Sequence, residues 1–178
     1  DESQKALFEA ETIGSSEEDL SIEIAFEWAG IGDIENGRAL FDKLKKAHEP
    51  PSVALRLRHA AFLDMLGFDR ELRDELDAIG GIKNLSPQEM VALAELRESA
   101  AIRMADKQIL SGDAALAHQT LAPFLKAEPG RVRLLLADAR AYRAARQWSP
   151  AVGAEHLATR ERVALFDITP FAKFDVTG

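Results

Sequence analysis

An all-α fold is predicted by three features of the sequence. Hydrophobic residues make up 47% of the 178 positions while aromatics reach only 7%. Ala and Leu, both strong helix formers, carry much of the apolar share, which favours packed helices over a sandwich of β-branched strands. Small residues also recur at a fixed distance before a turn: Ala25 precedes Gly32, Ala60 precedes Gly67 and Ala105 precedes Gly112, each by seven residues, and Ala139 stands in the same relation to Arg146. Finally, Pro50 and Pro129 fall where helices should stop, because proline cannot donate the next helical hydrogen bond.

Taken in order, SQKALFEAETI is expected to form a first helix that leans on the first hairpin. Ser16 with Asp19 three residues later resembles a capping box that starts the next helix. Around Gly32 the spacing predicts a helical hairpin, with Trp28 on its first helix, Ile34 just past the turn, and Gly37 and Phe41 on its second. A second hairpin is predicted around Gly67, with Leu72 and Leu76 in the matching places. Ser86 followed by Pro87 is a strong helix start, and the helix it opens is expected to be unusually long, to about Leu110. The third turn is at Gly112, followed by Ala117 and Leu121. A fourth unit carries Tyr142 and Trp148, with its last helix starting at Ser149 and Pro150 and with Ala151 and Glu155 in the later positions. Beyond Leu165, the apolar residues Phe166, Ile168, Phe171, Phe174 and Val176 are expected to cover the last helix, and the open end hints that the natural chain continues.

This pattern resembles the tetratricopeptide repeat (TPR), a helix-turn-helix of about 34 residues. The interval from Ala105 to Ala139 is 34 residues, that from Ala25 to Ala60 is 35, and that from Ala60 to Ala105 is 45, the excess lying in the lead-in LSPQEMVALAEL. The resemblance implies a right-handed α-solenoid of about four degenerate TPR-like hairpins at about 18–51, 52–86, 98–131 and 132–165, with a capping helix at 1–17 and a tail or further segment at 166–178. Gly37, Arg146 and Glu155 depart from the pattern. Stacking explains why such a unit repeats: one hairpin cannot cover its own apolar face, so each supplies part of its neighbour's core.

Composition narrows the function classes. A formal charge of -8 argues against a surface that grips phosphate backbones, and no nucleic-acid partner is expected. The absence of cysteine excludes disulfides, thiolate metal sites and cysteine nucleophiles. No run approaches the roughly 18 apolar residues of a membrane-spanning helix, so the segment is expected to be soluble, without direct membrane insertion. The histidines, His48, His59, His118 and His156, are scattered, with no HExxH, GxSxG or phosphate-binding glycine loop. His59 and Asp64 are five apart and share a helical face poorly. The carboxylate pairs Glu17–Glu18 and Asp74–Glu75 read as solvated faces. No enzyme activity, cofactor or metal is expected.

The division of charge is more informative. Residues 1–97 carry 11 Lys and Arg against 21 Asp and Glu, whereas residues 98–178 carry 11 against 9. Arg133, Arg140 and Arg143, in steps of seven and three, share one helical face. The family resemblance implies that first helices line a concave groove, where these arginines are joined by Arg103 and Asp106. Arginine forks in such a groove suit a carboxylate; alternatively, they pair with acids of neighbouring units on an exposed helix. The corresponding earlier positions Ile22, Phe26, Leu57, Ala61 and Met65 are core or an apolar half of the groove. Family members that clamp the C-terminus of chaperones use Lys and Asn where this chain has Ile22, Leu57, Ile102 and Leu136, so that activity is not supported. The expected function is a non-catalytic protein-protein interaction scaffold, a soluble module of a larger bacterial envelope or secretion assembly with a periplasmic setting favoured. Its partner would be an acidic or mixed peptide segment or a partner helix. The alternative is a carbohydrate- or small-ligand-binding superhelix attached to an enzyme or porin.

Overall fold

Eight α-helices and no strand make up the regular structure in the computed structural model, which describes residues 2–14 and 17–147, the last two without side chains. The helices are α1 (Glu2–Gly14), α2 (Glu18–Gly30), α3 (Ile34–Ala47), α4 (Val53–Leu66), α5 (Asp69–Gly80), α6 (Pro87–Leu110), α7 (Ala114–Ala127) and α8 (Val132–Gln147). The described residues divide into two compact units, the second beginning at Ala105, and the division falls inside α6.

One device ends three of these helices. Gly32, Gly67 and Gly112 all adopt positive φ, at 88°, 73° and 87°, a conformation that costs glycine little and side-chain-bearing residues much. At each, the glycine N–H donates three residues back and the next N–H five residues back, as in Gly67 to Asp64 O (3.1 Å) and Phe68 to Leu63 O (3.1 Å). This double closure satisfies carbonyls that the helix end would otherwise strand. The following residue opens the next helix at once. Asp33 accepts from the Asn36 N–H at 3.3 Å, and Asp113 from the Leu116 N–H at 3.0 Å, each capping a helix start. Arg146, the fourth turn position expected from the spacing, is still helical.

The long helix expected from Ser86 and Pro87 runs the full 24 residues to Leu110. It opens on a reciprocal capping box: the Glu89 carboxylate accepts from the Ser86 N–H at 2.7 Å, and the Ser86 hydroxyl accepts from the Glu89 N–H at 3.2 Å. The backbone hydrogen bond from Ser86, with that from its hydroxyl, holds the Glu89 carboxyl below its ordinary value of 4.5. The Ser16 cap expected for α2 involves a residue outside the described ones, as do the helix expected from Ser149 and the covering tail.

In the first unit α2 and α3 form one hairpin and α4 and α5 another, with α1 on α2 and α2 beside α4. The core has two parts. Ile22, Ile24, Ala25 and Trp28 of α2 pack with Leu40, Phe41 and Leu44 of α3 and with Leu55 and Phe62 of α4. Leu57, Ala60 and Leu63 of α4 pack instead with Leu72, Leu76 and Ile79 of α5 and Leu93 of α6. Helix α4 is therefore apolar on two sides and bridges both clusters. Phe26, Phe41 and Phe62 meet edge to face or tilted at 4.8–6.2 Å between ring centres, a geometry that suits the aromatic quadrupole.

Gly37 lets α3 approach α2 closely; a Cβ there would lie 2.7 Å from the Ala25 carbonyl oxygen. The small residues Ala25, Ala60 and Ala105 are all fully buried. Ala139, expected in the same role, is exposed. In the second unit α8 packs on α7 through Leu134, Ala137 and Ala141, spaced three and four apart as one helical face demands. Ala139 points away from that face, which is why its smallness has no contact to serve.

Candidate functional site

Ile22 and Leu57, positions that a groove reading leaves open, are core, at 2% and 8% exposure. Phe26 and Ala61 are half-buried and Met65 is exposed. The apolar half of any groove in the first unit is thereby mostly used in packing.

The first unit contains two polar clusters, both internally satisfied. Glu75 of α5 accepts from Arg56 Nε at 2.8 Å and lies 3.6 Å from Lys45 Nζ and 3.8 Å from His59 Nδ1. Burial pushes its carboxyl up, but His59, Arg56 and Lys45 outweigh that and hold it at about 2, below the ordinary 4.5. Lys45 in turn sits 2.7 Å from His59 Nδ1, and the Phe41 ring lies against His59 at 5.2 Å. This cluster joins α3, α4 and α5 with every charge paired. In the second cluster Arg103 reaches back from α6 to α4 and α5. It donates to the side chain and backbone carbonyl of Asp64 and to Asp69 at 3.0 Å, while the Ser99 hydroxyl donates to Asp64 at 2.9 Å. A guanidinium with three acceptors around it is held as a strut.

In the second unit Asp106 of α6 pairs with Arg140 of α8 at 3.0 Å. Both side chains are more than 40% exposed, and an ion pair so open to water is worth little in stability. Arg143 lies one turn beyond Arg140 and makes no hydrogen bond or ion pair among the described residues. The three line an open cavity of about 370 Å³ together with Ile109, Leu110 and Ala144. Arg133 is exposed and is not among the residues around that cavity. Of the five residues that sequence reasoning assembles, the structure therefore gathers Asp106, Arg140 and Arg143, holds Arg103 within the first unit, and leaves Arg133 on the exposed side of α8.

One grouping escaped the sequence altogether. His118 Nδ1 of α7 lies 2.6 Å from Asp138 of α8, and Tyr142 packs on the His118 ring at 4.8 Å with its hydroxyl 3.5 Å from Nε2. Asp138 and Tyr142 are one helical turn apart and so meet the same neighbour. No short motif joins His118 to residues 20 and 24 positions away, and only the α7–α8 pairing creates the contact. These contacts link α7 to α8 through the His118–Asp138 pair and the His118–Tyr142 ring contact.

Among the described residues no cluster of three or more His, Asp or Glu side chains could hold a metal ion, and no helix is long and apolar enough to cross a membrane. The chain matches no protein-family profile, no curated protein and no solved structure.

Proposed function

We propose that the chain is a TPR-like helical-repeat array that acts as a non-catalytic interaction scaffold, taking a peptide segment or partner helix on the face formed by Asp106, Arg140 and Arg143. The observation that carries this reading is the cavity beside Arg140 and Arg143, which combines exposed guanidinium groups with apolar side chains of α6 and α8. Such a mixture suits a protein segment better than a purely polar metabolite. The repeat reading is supported by the three identical glycine turns and by the spacing of polar links between helices. Arg38–Glu71, Ser99–Asp64, Arg103–Asp69 and Arg140–Asp106 are separated by 33, 35, 34 and 34 residues, close to one repeat length. The eleven-residue excess in the middle interval is taken up as helix in α6, whose first part packs in one unit while its last residues belong to the next.

Capture from a lysate of the native organism tests the function, with the wild-type chain beside an Arg140→Glu, Arg143→Glu variant of unchanged helicity. A protein retained by the wild type and lost by the variant is the expected result. Identical captures on both would move the site away from α8.

A further inference from the structure

Resting on that interaction reading, we infer that the α6–α8 cavity selects a segment with a single carboxylate beside a large aliphatic side chain, that Arg143 is its anchor, and that Asp106 restricts the site to one acid. Among the described residues, two guanidinium groups and one carboxylate line the cavity, which leaves one positive charge uncompensated by them. That charge resides on Arg143, because Asp106 already sits 3.0 Å from Arg140, where an incoming carboxylate would bind. Asp106 thus acts as an internal substitute for a second ligand acid. A guanidinium offers parallel N–H donors that a carboxylate accepts in pairs, and the exposed Arg143 can reorient to meet one at little cost.

The remaining walls define the second half of the ligand. Leu110 is 87% exposed at the very end of α6, and Ile109 and Ala144 flank the same cavity. A leucine so open contributes nothing to the fold's core, and covering it with an aliphatic group of a partner removes both surfaces from water. Acid and aliphatic group would be adjacent in the bound segment, since both halves belong to one cavity of about 370 Å³, the size of a few side chains. A segment with neighbouring acids meets no second free arginine among the described residues at this cavity.

A displayed library of random linear heptapeptides, selected in parallel on the wild-type chain and on its Asp106→Asn and Arg143→Gln variants, tests this. On the wild type the selected peptides should share one Asp or Glu next to Leu, Ile, Val or Met. A fluorescein-labelled peptide of that consensus should bind about tenfold more tightly than its twin with the acid replaced by the amide. Arg143→Gln should erase that tenfold preference while aliphatic selection remains, and Asp106→Asn should shift selection to peptides with two acids. Wild-type selection of peptides without an acid, or an acid preference that survives Arg143→Gln, overturns the inference and leaves the scaffold reading standing. Failure of any peptide to exceed an unrelated helical control overturns both.

Discussion

Replacing Gly37 with alanine sets two magnitudes against each other. Glycine inside a helix is less favourable than alanine by about 1 kcal/mol, so on propensity alone the change stabilises α3. Space decides otherwise. The new Cβ would lie 2.7 Å from the carbonyl oxygen of Ala25 and 2.9 Å from Phe62 Cζ. The oxygen belongs to the backbone of a buried stretch of α2, and the Phe62 ring is fully buried against Phe26 and Phe41, so neither can swing aside. Forcing an extra carbon into such a site costs roughly 1–3 kcal/mol, and contact with fixed backbone puts this case in the upper part of that range. The net expectation is a loss of about 1–2 kcal/mol, or roughly 4–16 °C in melting temperature for a unit of this size. Gly30→Ala is the control, because nothing lies within 4 Å of a Cβ there; it should be neutral or stabilising by up to about 1 kcal/mol. Calorimetric melting of both variants reads the result. A Gly37→Ala protein that melts at or above the wild type, or two glycines that shift alike, would refute the close approach of α2 and α3.

Three further perturbations test the same packing. Glu75 is held at about 2 rather than 4.5, so between those values the unfolded chain binds more protons than the folded one, and the contribution is lost as pH falls from about 5 towards 2. Unfolding free energies from urea titration at pH 5 and pH 2.5 should differ less in Glu75→Gln than in the wild type, by on the order of 2–3 kcal/mol; an unchanged pH dependence would remove Glu75 from the account. Ala141→Leu, at a position only 1% exposed, should destabilise by about 1–3 kcal/mol, whereas Ala139→Leu should stay within about 0.5 kcal/mol. Equal urea midpoints for these two variants would contradict the observed face of α8. Ser86→Ala should lower stability by about 1 kcal/mol through loss of the cap, read as a lower melting temperature by circular dichroism at 222 nm, and no change would mean that α6 starts elsewhere.

The helices were legible because their signals are local. A glycine that must adopt positive φ, an aspartate or serine that caps the next turn, and a proline after the last residue all act within a few positions of themselves. Gly32, Gly67 and Gly112 could therefore be placed from spacing, and so could the start of α6 at Pro87. The Asp33 and Asp113 caps and the Ser86–Glu89 box were equally local and could have been read from the residues just after each turn. The Arg140–Arg143 face was also legible, since a step of three lies on one side of any helix.

What the sequence by itself determined was thus the all-helical class, the glycine turns and the faces within single helices. Tertiary structure decided which of those faces meet. Arg103 looks like a free groove residue until α4 and α5 bring Asp64 and Asp69 to it across 39 and 34 positions. Ala139 has the spacing of a contact residue, but α7 covers the side of α8 that carries Leu134, Ala137 and Ala141. His118 acquires Asp138 only when two helices pair. Helix registers are set by burying the largest apolar face that the neighbours allow, a condition on several segments at once, which no window of one segment contains.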